Sequence, residues 1–258
     1  MPSVQLTVLG SGTSMGVPTL GCECRVCRSA DLHDKRTRPS VLLEYTGRSV
    51  VIDTTPDFRF QAMRAGLKRL DAVLLTHAHA DHILGLDDVR PFNLKQAGDI
   101  PVFASLETQA IVRRTFAYIF DGKPSLSTLP SIALRTINGP FDLFGLRLTP
   151  VPALHGDMSV LGFLVCRFAY LTDFSAVPES SKELLRGLDD FILDALRDTP
   201  HPMHSNVEQS LALVEELKPR RAWFTHICHD LGHEETNATL PAHVRLAYDG
   251  LSFEVALG

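Results

Sequence analysis

The chain has 258 residues, 45% of them apolar and 21% charged, with a formal net charge of −5. That is the composition of an ordinary globular α/β protein with a full-sized core, and no stretch reaches the ~18 uninterrupted apolar residues of a membrane helix. The negative charge argues against a polyanion such as tRNA or DNA as the main partner, while leaving room for a local pocket that takes one small phosphate.

The opening Met1-Pro2-Ser3-Val4 lacks a basic region followed by an apolar one, so no secretory signal is expected and the cytoplasm is the expected location. Residues 4–9 are rich in β-formers and read as a strand. The strand runs into Gly10-Ser11-Gly12-Thr13-Ser14-Met15-Gly16-Val17-Pro18. Such glycines either let backbone N–H groups converge on an anion or form a flexible hairpin tip, and the spacing is not that of a P-loop. Next come Cys22, Cys24 and Cys27 in C-x-C-x-x-C spacing. Five cysteines in a chain without a signal argue for thiol or metal chemistry over disulfides. Three thiols this close form a chelate for tetrahedral zinc, with the fourth ligand supplied from elsewhere. Arg36-Thr37-Arg38-Pro39 is basic and is expected at the surface.

Residues 40–45 and 49–53 read as two strands of a hairpin, the second ending on Asp53. A carboxylate at the end of a buried strand either orients a neighbouring site or caps the following helix, here expected over 58–67. The apolar run 72–75 then leads into Thr76-His77-Ala78-His79-Ala80-Asp81-His82. In extended backbone His77, His79 and Asp81 share one face, and His82 falls where a helical turn begins. Neutral imidazole and carboxylate are the ligands a hydrolytic metal takes, and this run can serve two adjacent ions.

Residues 85–93 read as helix and loop, from which Arg90 and Asn93 either reach a substrate phosphate or stay on the surface. A strand over 100–104, an outer amphipathic helix over 106–119 and a loop over 121–131 follow. The second half repeats the layout, with strands expected over 146–151, 160–166, 168–173, 191–194 and 222–225 and a helix over 206–217. His155, Asp173, Asp194 and His226 each lie at or just beyond an apolar strand, as His77 does. A lone histidine is usually a satisfied polar residue; the common placement is what argues for a shared site.

These residues resemble the signature of the metallo-β-lactamase superfamily of hydrolases, which maps onto Asp53, His77-x-His79-x-Asp81-His82, His155, Asp173 and His226. The resemblance implies an α/β fold, a four-layer αββα sandwich of two mixed β-sheets flanked by helices. It implies one domain over 1–258, with a zinc-binding loop insertion around 21–38. It further implies that one divalent metal takes His77, His79 and His155, the other Asp81, His82 and His226, and that Asp173 bridges both. Within the superfamily the chain is similar to the phosphodiesterases of the carbon–phosphorus lyase pathway, which open phosphoribosyl 1,2-cyclic phosphate. The cysteine loop, Thr225-His226-Ile227-Cys228-His229 and His204 carry that similarity.

It implies that His229 completes a structural zinc with Cys22, Cys24 and Cys27, and that His204 is a general acid working beside Asp81 and Asp173. Asp53 and Asp194 would stand behind the ligands and fix imidazole orientation, or cap helices. The expected chemistry is attack on phosphorus by hydroxide held between the two ions, with His204 protonating the leaving oxygen. The donor set suits manganese or zinc and admits iron. The expected partner is a small phosphate ester, with no membrane and no nucleic acid, and a homodimer is compatible. The competing expectations are a tRNA 3′-processing endonuclease, the similar biosynthesis protein of the pyrroloquinoline quinone pathway, an iron-dependent oxygenase on the same scaffold, and a non-catalytic binding protein.

Overall fold

A computed structural model describes residues 3–123 and 126–257. Met1, Pro2, Pro124, Ser125 and Gly258 lie outside the described residues, so the middle of the expected 121–131 loop does too.

The first half supplies strands β1 (Ser3–Gly10), β2 (Ser40–Tyr45), β3 (Arg48–Ile52), β4 (Ala72–Leu74), β5 (Ile100–Ala104) and β6 (Ile132–Thr136). The second supplies β7 (Phe141–Leu143), β8 (Leu146–His155), β9 (Met158–Val165), β10 (Phe168–Leu171), β11 (Asp190–Asp194), β12 (Arg221–Thr225) and β13 (Val244–Leu246), and β14 (Ser252–Ala256) returns to the first sheet. Their order is β14-β1-β2-β3-β4-β5-β6 in one sheet and β13-β12-β11-β10-β9-β8-β7 in the other. Both sheets mix parallel and antiparallel pairs, as expected.

The alternation within each strand explains the sandwich. Leu6, Val8, Val41, Leu43, Val50 and Ile52 join Leu148, Phe163, Phe168, Tyr170 and Ile192 in one core between the sheets. The residues in between, Leu9, Leu42 and Val51, face a second core with Phe58 and Ala62 of helix α1 (Phe58–Arg64). On the other side Val151, Leu171, Phe191 and Leu193 pack on Leu213, Val214 and Leu217, which belong to α7 (Val207–Leu217). Before it in the chain lie α2 (Ala80–Ile83), α3 (Arg90–Gln96), α4 (Leu106–Thr115), α5 (Ala117–Phe120) and α6 (Glu179–Leu184), and after it α8 (His233–Thr239). Strands buried on both faces need helices outside both sheets, which gives the four layers.

Three sequence expectations are revised, and of the two alternatives left open for Arg90 and Asn93 the substrate-facing one is not met. The helix expected over 106–119 is broken at Phe116, whose buried side chain and φ,ψ of −109°, 41° end α4. Arg36 is not at the surface: it is 2% exposed, with its guanidinium donating to Asp34, His33 O and Cys228 O. Arg90 donates to Thr128 O and pairs with Asp87, while Asn93 Nδ2 is spent on the carbonyls of Gly98 and Ser131. Neither lines the site described below. The glycine turn is neither an anion cradle nor a free tip. The N–H groups of Ser11, Gly12, Thr13, Gly16 and Val17 all donate within the protein, two of them to Thr37 O and Ile227 O. A Cβ on Gly12 would meet Arg36 O at 2.8 Å, so close approach of these loops is what the glycine permits.

Candidate active site and metal centres

The parallel strands β3 and β4 of one sheet and β10, β11 and β12 of the other bring their carboxyl ends to one edge of the sandwich. Asp53, His77, Asp173, Asp194 and His226 are the residues at or just past those ends, and His155 closes β8. Leu161 N donates to Thr76 O at 3.0 Å, tying the sheets together beside the site. Asp53, Asp173 and His226 have φ of 64°, 52° and 58°. Left-handed backbone costs a non-glycine residue about 1–3 kcal/mol, and it turns these three side chains out of their strands toward one another.

The convergence makes two donor groups with one shared member. His77, His79, His155 and Asp173 form one, and Asp81, His82, Asp173 and His226 the other, with the donor atoms of each within 4.8 Å of one another. Asp173 Oδ1 lies 3.4 Å from His82 Nε2, and its Oδ2 lies 3.3 Å from His226 Nε2 and 3.9 Å from His77 Nε2. One carboxylate thus faces both groups, with Oδ2 between His77 and His226 and Oδ1 toward His82.

The nitrogens turned away from that centre are held from behind. His82 Nδ1 donates to Asp53 Oδ2 at 2.7 Å, and His155 Nδ1 donates to Met203 O at 2.6 Å. His77 Nδ1 donates to Thr76 Oγ1 at 2.9 Å, and that hydroxyl donates to Asp53 Oδ2 at 2.8 Å. Each bond fixes the tautomer that leaves an Nε2 lone pair for a cation. The Nε2 atoms of His77, His82 and His226 are buried without a hydrogen-bond partner. Orphaned, buried imidazole nitrogens aimed at one point are what a bound divalent metal would satisfy, so the residues fit the ions that the resemblance implies.

Electrostatics agree. Burial disfavours a charged His82, yet the carboxylates of Asp173, Asp53 and Asp81 overcome it and push its pKa well above the usual value. The same contest, won by Asp173, lifts His226 to about 9. Burial drives Asp173 up, and His226 and His82 bring it well below the usual carboxylate range. Complete burial raises Asp53 despite the bonds from His82 and Thr76. The cluster demands positive charge, which protons supply when metals do not.

His204 sits over this centre. Its Nδ1 donates to Asp194 Oδ2 at 2.9 Å, and its ring stacks on His226 with centroids 4.6 Å apart and a 16° interplanar angle. It shares a cavity of about 420 Å³ with Ser14, His79, Asp81, His155, Asp173, His201, Met203 and His226. Asp53 and Asp194 are bonded to histidines, and neither caps a helix: the residue before α1 is Asp57, and α7 is capped by Asn206.

A separate cluster gathers Cys22, Cys24, Cys27 and His229. The three sulfurs lie 3.2, 3.5 and 3.5 Å from His229 Nδ1. A tetrahedral zinc with ordinary bond lengths sets sulfur and nitrogen about 3.6 Å apart, so the group fits a zinc ion. Cys24 Sγ accepts from Cys27 N and Cys27 Sγ from Thr19 N, both at 3.4 Å. The Cys27 N–H chiefly holds the Cys24 thiol down at about 6, whereas burial pushes Cys27 up to about 11.

Sequence reasoning assigned no role to Thr76, Met203 or Ser14. Thr76 precedes the histidine run directly, which is a signal in hindsight. Met203 acts through its carbonyl, and no side-chain pattern reports that.

Residues 48–227 match the family model described as the beta-lactamase superfamily domain. The chain belongs to the β-lactamase superfamily. A solved structure described as a new diphosphatase from the PhnP family superposes with a TM-score of 0.93, at 50% identity over 98% of both chains. The Octanoyltransferase of Porphyromonas gingivalis is 38% identical over 249 residues, which are 95% of this chain and 50% of that one. The chain therefore spans half the length of that relative. The Ribonuclease Z of Bradyrhizobium diazoefficiens is 31% identical over 134 residues, half of this chain and 44% of that one.

Proposed function

We propose that this superfamily member is a dinuclear-metal hydrolase of a small phosphate ester, most simply a cyclic phosphodiester resembling phosphoribosyl 1,2-cyclic phosphate. The observation that carries the reading is the placement of His204, backed by Asp194, over two donor groups that share Asp173. His77, His79 and His155 would hold one cation and Asp81, His82 and His226 the other, with Asp173 shared. Manganese and zinc suit such a set, and iron is compatible. Bound there, the cations supply Lewis-acid activation of water and neutralisation of phosphate charge.

The chain's own residues do the rest. Asp53, Thr76 and Met203 O hold three imidazoles in the metal-binding tautomer. Asp194 takes His204 Nδ1–H, leaving Nε2 as the nitrogen for a ligand in the cavity. From there His204 donates a proton to the leaving alkoxide, a contribution of about 10²–10⁴-fold. Similarity to a PhnP-family diphosphatase supports phosphate-ester chemistry and extends the candidates to a diphosphate bond. Cys22, Cys24, Cys27 and His229 would hold a structural zinc.

A second reading, a tRNA 3′-processing endonuclease, draws on the Ribonuclease Z match and is opposed by the net charge of −5. One experiment separates them. The purified protein, loaded with manganese or zinc, is offered cyclic and linear phosphodiesters, nucleoside diphosphates, a precursor tRNA and an octanoyl thioester. Turnover of small phosphate esters is expected; turnover of the RNA or the thioester alone would reverse the assignment.

A further inference from the structure

A cluster that shares no residue with either centre has no role in the reading above. His33, in the short turn Leu32–Asp34, and His233 and Glu234, at the start of α8, bring three donor atoms within 4.8 Å of one another. We propose that His33, His233 and Glu234 form a third metal site, for a borderline transition cation such as zinc, separate from the catalytic pair and from the cysteine cluster.

His233 is 6% exposed, and its Nδ1 is buried with no hydrogen-bond partner among the described residues. A buried imidazole nitrogen left unsatisfied costs free energy that a bound cation would recover. His33 is already oriented as a ligand: its Nδ1 faces Asp31 Oδ1 at 3.1 Å, which leaves Nε2 free. A carboxylate behind an imidazole is the usual support of a metal-bound histidine. The two rings lie 4.6 Å apart between centroids, and Tyr248 packs edge-on against His33 at 4.3 Å. Burial, with His33 next, lowers the His233 pKa, so its ring is neutral and its lone pair available near pH 7. Two imidazoles and a carboxylate with the outer side open to water match the preference of zinc and its neighbours.

The scaffold holding these ligands is rigid. Asp34 Oδ1 accepts from Arg36 Nη2 and from His233 N, each at 2.9 Å, and Arg36 Nε donates to His33 O. The turn and α8 are therefore fixed to each other whether or not a cation is bound. A cation would add a cross-link between segments 199 residues apart in the chain, beside the loop that carries Cys22, Cys24 and Cys27.

The test is zinc content by elemental analysis after equilibration over a series of buffered free-zinc concentrations. Wild type, His33→Ala and Glu234→Gln are compared, each checked by circular dichroism. Wild type is expected to retain one more equivalent than His33→Ala at saturation, and Glu234→Gln to need at least tenfold more free zinc for that equivalent. Glu234 is exposed, so its variant keeps the test decisive should His33→Ala misfold. Identical zinc curves for wild type and Glu234→Gln, or for wild type and a folded His33→Ala, would overturn the site.

Discussion

Asp53 Oδ2 accepts from both His82 Nδ1, at 2.7 Å, and Thr76 Oγ1, at 2.8 Å, so one buried oxygen orients ligands of both donor groups. Thr76 relays its hold to His77. Replacing Asp53 by Asn keeps the shape and removes the charge and one acceptor. Losing such an outer carboxylate typically costs about 10–100-fold in metal affinity or activity. Asp53→Asn is expected to weaken metal loading by that factor, read by titration with a chelator-buffered metal. Unchanged loading would show that Asp53 acts only through the fold.

His204 contacts the site through ring stacking and is a member of neither donor group that shares its residues with the His77 run. His204→Ala is therefore expected to lower kcat by about 10²–10⁴-fold while leaving metal content intact. One other grouping, Asp173, Asp194, His204 and His226, also lies within 4.8 Å. Loss of one metal equivalent in step with activity would place His204 among the ligands of such a site.

Much of this was legible because the metal-competent side chains follow buried strands. An apolar run such as 72–75 ending in His77-x-His79-x-Asp81-His82 fixes both the strand and where its end points. The inner and outer alternation of Val41, Leu42 and Leu43 required two cores. What was hidden depends on partners distant in sequence. Arg36 reads as surface until Cys228 O, from the far end of the chain, comes to accept from it. The glycine turn reads as an anion loop until Thr37 and Ile227 take its N–H groups. The left-handed backbone of Asp53, Asp173 and His226 carries only a weak sequence mark, since aspartate and histidine tolerate that region better than most side chains but seldom adopt it. Short strands such as β7 and β13 exist only through the neighbours they pair with.

Cys24, partly buried, brings its sulfur to the cluster from a loop whose small core is Val17, Val26 and Cys27. So small a core cannot hold residues 19–29 by burial alone, and the zinc ion is expected to supply the difference. Cys24→Ser should lose one zinc equivalent and about 2–3 kcal/mol, near 5–10 °C in Tm for a domain of this size. The catalytic pair should stay loaded. A full zinc complement with an unchanged Tm would remove the case for a structural ion.

His226 and His155 give the metal-free protein opposite responses to pH. His226, lifted to about 9, contributes stability that is complete below the unfolded value near 6.5 and is lost as pH rises to 9. His155, held down at about 4 chiefly by burial, charges more readily in the unfolded chain, so stability is lost as pH falls from 6.5 toward 4. Each shift is worth about 3–4 kcal/mol. The Tm of chelator-treated protein is expected to peak near pH 6.5 and to fall on both sides. A cation must displace protons from His226 and His82, so the Tm rise on adding zinc or manganese should be larger at pH 8.5 than at pH 6.5. A metal-induced rise that is flat across that interval would mean that these imidazoles are not where the cations bind.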